Sequence, residues 1–269
     1  MTVYSTEKQA KEIAAYLTSY MRIPFFQDDA IPGQIMEKII SKVHGARQLP
    51  TYDYVDVVIE GNDGSKKGNV IKGVGWSVKS TKESTPLTWK RAKIEKKRSL
   101  IEASEDADES ISAIGLQALG DAIIDFCNDH AQQSMDKHNL DEIGYSRLIM
   151  FENNTAIYFE KLLCSKLKPL IFDKADYIWK WSSQKKTSKK EQLPALHGTN
   201  IKTKKKEFAW HGKGENQLHF SGEGEWWPDI SVPEEIGEMN YSKENHAIAF
   251  RLPTEKVDWE SLVEFLKPT

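Results

Sequence analysis

A change of hydrophobic period near residue 50 limits the fold more than any other feature of the chain. Residues 6–21 place Ala10, Ile13, Ala14, Leu17 and Met21 at helical spacing. Residues 34–43 repeat the pattern with Ile35, Ile39, Ile40 and Val43, before Gly45, a residue type that commonly closes helices. Pro24, Asp28, Asp29, Pro32 and Gly33 mark the loop between them. The period then shortens. Tyr54-Val55-Asp56-Val57-Val58-Ile59 is short and β-branched, and predicts a strand. Gly61-Asn62-Asp63-Gly64 predicts a turn, and 68–81 a second strand ending Gly73-Val74-Gly75-Trp76-Ser77-Val78-Lys79-Ser80. Two amphipathic helices followed by adjacent strands must bury their stripes against a sheet, which predicts an α+β fold.

Beyond residue 85 the pattern from 86 to about 129 reads as helical, basic at first over 89–104, then acidic, then strongly apolar over 111–126. Residues 132–143 read as a short helix or a loop. Arg147 to Phe151 and Ala156 to Phe159, around Glu152-Asn153-Asn154-Thr155, read as a hairpin or as a strand leading into a helix. Strands are expected at 177–181, 208–211, 217–221 and 245–252, with Trp226-Trp227-Pro228 ending a strand and 185–190 forming an exposed loop. A last short helix is expected over 257–266, with Asp258 at its start. The expected architecture is a central mixed β-sheet flanked by helices, with a β-rich C-terminal part. It is read as one domain over 1–269, with a catalytic core at 34–130 and a recognition part at 144–269.

No run of about 18 apolar residues is visible, so no membrane-spanning helix is expected. The first 20 residues lack an apolar signal core, and Cys127 and Cys164 are too few for a disulfide framework. A cytoplasmic protein with buried, reduced thiols is the expectation. The formal net charge of -3 is unevenly spread: residues 1–100 carry +6, 101–160 carry -11, 161–213 carry +10 and 214–269 carry -8. Two basic blocks suit a nucleic-acid partner if they meet on one face; the alternative is a set of solvated lysine-rich loops.

On the second strand Val74, Trp76 and Val78 point one way, and Gly75, Ser77 and Lys79 the other. Hairpin pairing would bring Asp56 near Ser77 and Lys79. A carboxylate with the backbone carbonyl of Val78 offers hard oxygen ligands for Mg²⁺. A lysine beside them can orient or deprotonate a water, or stabilise charge growing on a phosphate. That combination points to metal-assisted phosphodiester hydrolysis; the alternative is a structural ion pair between Asp56 and Lys79.

These strings resemble the core of type II restriction endonucleases of the PD-(D/E)XK nuclease superfamily. In that family an acidic residue on one strand is followed on the next by (D/E)-X-K. The resemblance covers residues 34–82 and departs at Ser77, where the family has its second acidic residue. It implies a Mg²⁺-dependent, sequence-specific cleavage of double-stranded DNA with Asp56 and Lys79 as the catalytic pair and Ser77 beside them. Glu37, on the preceding helix, is the candidate for the missing carboxylate, or else a solvated helix residue. A homodimer is expected because a palindrome offers two symmetric cleavage sites. A partner DNA methyltransferase and a bacterial or archaeal cytoplasm follow from the restriction reading.

DNA affinity comes mainly from Lys and Arg on phosphates. Lys82, Lys90 and Arg91 follow the candidate site, and Lys202, Lys204, Lys205, Lys206 and Lys213 form a second block with Trp210, His211, Asn216 and Gln217, side chains suited to reading base edges or stacking. The alternative is a lysine-rich hairpin over core tryptophans. His197, His211 and His219 are too loosely spaced, without a nearby cysteine, to argue for zinc. Two other classes stay open: a non-catalytic DNA-binding protein, and a repair-type nuclease of the same fold.

Overall fold

The structure, a computed structural model, describes residues 2–23, 30–50, 53–62, 71–83, 85–183, 185–186, 191–222, 226–258 and 260. The chain divides into two compact units, each assembled from separate segments. The first comprises 1–85, 134–167 and 228–269, and the second 86–133 and 168–227. The expected core at 34–130 and recognition part at 144–269 follow chain order, whereas the units interleave along it.

The first unit opens with α1 (Glu7–Met21) and α2 (Gly33–His44). Thr6 and Gln9 form a capping box at the start of α1, satisfying orphan backbone donors there. Gly45 ends α2 at φ 63°, the left-handed conformation that glycine adopts without a Cβ clash. Seven strands form its mixed sheet: β1 (Arg47–Gln48), β2 (Val57–Ile59), β3 (Val74–Lys82), β5 (Glu142–Met150), β6 (Thr155–Ser165), β13 (Met239–Ser242) and β14 (Ala247–Arg251). Their spatial order is β1-β2-β3-β5-β6-β14-β13. The β3–β5 pair is parallel and every other pair in the sheet antiparallel. Val74, Trp76 and Val78 of β3 enter one core with Leu148, Tyr158, Ile248 and Phe250, together with the stripes of α1 (Ile13, Leu17) and α2 (Met36, Ile40). Val3 lies on the same face, where a Cβ on Gly144 would stand 2.7 Å from it; this close approach is what the glycine in β5 permits.

The second unit holds β4 (Thr88–Arg91), α3 (Lys97–Ser104), most of α4 (Glu109–Lys137), β7 (Tyr177–Trp181), β10 (Leu196–Asn200), β11 (Lys206–Trp210) and β12 (Gln217–Phe220). Its sheet is wholly antiparallel, in the order β4-β12-β11-β10-β7. A separate two-stranded ribbon pairs β8 (Lys185–Lys186) with β9 (Glu191–Gln192). Trp89, Phe172, Tyr177, Trp179, Phe208, Phe220 and Trp226 interlock edge to face and stacked, so aromatic contact is the main packing device of this core.

Several expectations are corrected. Residues 88–91 form a strand inside the stretch read as helical, because Trp89 is buried among rings and β4 pairs with β12. Helix α4 runs unbroken for 29 residues through the span read as an apolar helix and a separate piece. It is also long and apolar enough, by length and composition, to cross a membrane, which was not expected. Its residues Leu119, Ile123, Ile124, Cys127, Ala131 and Met135 are buried within the fold, as a core helix requires. Lys185–Lys186 is a strand and not a loop. Trp226 and Trp227 lie in a turn. Strands β10 and β13 were not anticipated. The expected last helix falls almost wholly outside the described residues. Both cysteines are free and buried as expected, and burial pushes each thiol up to about 12.

Candidate active site and nucleic-acid interface

In the first unit, Asp56 stands one residue before β2. Its N–H donates to the Trp76 carbonyl at 2.8 Å and its carbonyl accepts from the Leu49 N–H at 2.9 Å. The β2–β3 register pairs Val57 with Trp76, which continues to Asp56 opposite Ser77. Asp56 Oδ2 accepts the Val78 N–H at 2.7 Å. Lys79 Nζ lies 3.5 Å from the same Oδ2 and donates to the Val78 carbonyl at 3.1 Å. A carboxylate, a carbonyl and an ammonium therefore converge across two adjacent strands, as the hairpin reading requires. The alternation of β3 produces this: its apolar residues go to the core and Lys79 to the opposite face. The Lys79 and Asp56 side chains keep 14% and 22% of their surface exposed, enough to meet a ligand. Ser77 is 1% exposed, which seals its hydroxyl inside the sheet and argues against a role in the reaction.

Glu37 is half-buried on α2, beside the core residue Met36. The approach to α2 meets β3 where Ser80 Oγ donates to the Ile31 carbonyl at 2.5 Å. Among the described residues no group of three or more His, Cys, Asp or Glu is arranged to hold a metal. The hard donors at the site are the Asp56 carboxylate and the Val78 carbonyl. They fit Mg²⁺, which is held by one or two carboxylates and takes its remaining oxygens from substrate phosphate and water.

Two neighbours escaped the sequence reading. The parallel register sets Tyr145 beside Ser77 and Arg147 beside Lys79. Arg147 is 4% exposed and donates to Thr81 Oγ1 at 3.3 Å. Burial raises the Tyr145 phenol far above its ordinary range, against the pull of the Arg147 charge. A lone arginine inside the largely apolar stretch 143–150 was the available signal, since a buried charge needs a reason. Lys82 ends β3, half-buried.

In the second unit, Lys90 and Arg91 lie on β4, Arg91 exposed. Lys202, Lys204 and Lys205 ride the tight turn between β10 and β11, and Lys206 opens β11. Asn200, 5% exposed, builds that turn: its Oδ1 accepts the N–H groups of Lys202 at 2.9 Å and Thr203 at 3.2 Å, and its carbonyl accepts that of Lys204 at 2.9 Å. Lys202 also pairs with Asp176 at 2.7 Å. The loop 211–216 between β11 and β12 presents the polar candidates. Gln217 Oε1 lies 3.3 Å from His219 Nε2, and the His211 and His219 rings are 4.9 Å apart. Burial, then the charges of His211 and Lys206, lower the His219 pKa. Lys213 is less available than expected, because it pairs with Glu105 and lies 4.8 Å over the Trp181 ring. The Asn216 N–H donates to the His211 carbonyl at 3.2 Å, and its own carbonyl accepts the Ala92 N–H at 2.8 Å. Trp210 is corrected: it is fully buried, its Nε1 donates to the Ala92 carbonyl at 3.1 Å, and it belongs to the core.

No protein-family model, curated protein or solved structure matches the chain.

Proposed function

We propose that the chain is a Mg²⁺-dependent, site-specific deoxyribonuclease of the type II restriction kind. The observation that carries this reading is the convergence of Asp56, the Val78 carbonyl and Lys79 on β2 and β3, with Asp56 fixed by the Val78 N–H at 2.7 Å. Asp56 and Val78 would hold the cation, with Glu37 as the further carboxylate. When bound, Mg²⁺ supplies Lewis acidity toward a phosphate oxygen and a more acidic water. Lys79 Nζ, tethered at Val78, supplies a counter-charge beside the scissile phosphate and a donor that can orient the attacking water. The Val78 N–H holds the Asp56 carboxylate in one orientation, so little reorganisation is needed when substrate arrives. The lysines of the β10–β11 turn suit phosphate contacts, and His211 and Gln217 suit base edges. A homodimer in a bacterial or archaeal cytoplasm, paired with a DNA methyltransferase that protects the same site, completes the proposal.

Digestion of a mapped plasmid in Mg²⁺ tests it. Wild-type protein is expected to yield discrete fragments. Asp56→Ala and Lys79→Ala are expected to abolish cleavage while leaving DNA affinity in place. Normal cutting by either variant would overturn the site. A second reading, a non-catalytic DNA-binding protein, draws on the lack of a three-ligand metal group among the described residues. It predicts salt-sensitive binding and no nicking at any Mg²⁺ concentration.

A further inference from the structure

The segment 53–61, with Asp56 near its middle, is held at both ends by the last turn of α4 and the residues that follow it. On the near side, Asp53 Oδ1 lies 2.9 Å from Lys137 Nζ and 3.5 Å from His138 Nε2. The Tyr54 N–H donates to Ser134 Oγ at 2.9 Å. On the far side, Glu60 Oε1 lies 3.6 Å from His138 Nδ1 and also pairs with Arg47. Beyond it, the Asn139 carbonyl accepts the Gly61 N–H at 3.3 Å and Asn139 Nδ2 donates to the Gly61 carbonyl at 3.0 Å. That approach needs glycine just beyond β2 and just before β3, since a Cβ on Gly61 or Gly73 would stand 2.6 or 2.1 Å from the Asn139 oxygen.

His138 touches both arms. Its side chain is 7% exposed, and its two ring nitrogens face two carboxylates of opposite ends of the segment. Nε2 makes no hydrogen bond, and the two contacts, at 3.5 and 3.6 Å, span the segment from Asp53 to Glu60 through one ring. The ring thus acts as a cross-brace. Asp53 lies three residues before Asp56 and Glu60 four residues after it, so the ring's two contacts bracket the backbone that carries the carboxylate facing Val78 and Lys79.

We infer that His138 is a positioning residue for Asp56, bracing the Asp56 segment through Asp53 and Glu60 without touching substrate. The catalytic half of this inference rests on the nuclease reading; the mechanical half does not. The test pairs amide hydrogen exchange over 53–61 with steady-state cleavage of a plasmid site by the full chain. His138→Ala is expected to speed exchange in 53–61 and to lower kcat by about 10- to 100-fold, the effect of a misplacement of about 1 Å. KM for DNA is expected to stay within about twofold, because positioning loss falls on the chemical step. Free imidazole is expected to restore part of kcat by refilling the site, a rescue that a merely destabilised fold would not show. Glu60→Gln, at a half-exposed position that tolerates change, is expected to show a smaller loss in the same direction and keeps the test alive if His138→Ala folds poorly. Unchanged exchange in both variants overturns the inference. Faster exchange in a protein whose wild type never cuts DNA upholds the brace and rejects the nuclease reading. A kcat loss without imidazole rescue, matched by an equal rise in KM, also overturns the positioning role.

Discussion

Trp210 shows how composition misleads at the scale of one residue. Among lysines and amides it reads as a stacking surface for bases, yet its indole is fully buried and its N–H is satisfied by the Ala92 carbonyl. Even Gly212 is fitted to it, since a Cβ there would stand 2.2 Å from the ring. The indole is a floor beneath the 211–216 loop. Trp210→Ala is therefore expected to destabilise the protein by about 3–5 kcal/mol, the usual cost of emptying a large aromatic site. Urea unfolding followed by fluorescence measures this. DNA affinity of the folded fraction should change little, whereas a stacking role would lower affinity at constant stability. Asp56 and Lys79 were legible because strand alternation and the antiparallel pairing of neighbouring strands are local rules, although the expected turn at 61–64 lies partly outside the described residues. Arg147 and Tyr145 were not, because their place beside Lys79 depends on a parallel pairing reached only after α4.

At the scale of elements, the same division recurs. The stripe of α1 matched its burial residue for residue, since a helix writes its period into consecutive positions, whereas in α2 only Ile39 and Ile40 of the expected stripe are buried, with Met36 and His44 in place of Ile35 and Val43. Strand β4 was hidden because its partner β12 lies more than a hundred residues downstream and its basic side chains resemble a solvated helix face. The turn after α4 carries a measurable pH signature. Burial raises the Asp53 carboxyl, but Lys137 and then His138 hold it below its ordinary value overall. Arg47, against burial and with help from His138, does the same for Glu60. A carboxylate whose folded pKa is depressed stabilises the fold above the ordinary carboxylate range, and that contribution fades as pH falls through the depressed value. Lys137→Met is thus expected to lower stability at pH 7 by at most about 1 kcal/mol, because the lysine is largely exposed. The gap to wild type should start to narrow below about pH 4, where Asp53 is protonated in unfolded chains, and close as pH falls through its depressed folded value. Thermal melts across that range check it; a gap that widens in acid would reverse the sign of the coupling.

At the scale of the whole molecule, a net charge of -3 says little about partners, because basic and acidic blocks offset one another. Lys202, Lys204 and Lys205 share one short turn whose backbone is pinned by Asn200, and Lys206 follows at the start of β11. If each meets a phosphate, replacing all four with alanine lowers the slope of log K against log salt by roughly 3 to 4. Fluorescence anisotropy with a labelled duplex at several salt concentrations measures that slope. An unchanged slope would remove the turn from the interface.

The chain passes from one unit to the other after residues 85, 133, 167 and 227. The third segment of the first unit supplies β13 and β14, so its sheet is complete only after the whole of the second unit has been made. During synthesis, the strands bearing Asp56 and Lys79 emerge early, but the outer strands of their sheet emerge last. A ribosome stalled or truncated before residue 228 would release a chain whose β6 edge is unpaired, and such an edge is a template for aggregation. Interleaving therefore ties completion of the sheet that carries Asp56 and Lys79 to synthesis of β14, after the second unit has been made.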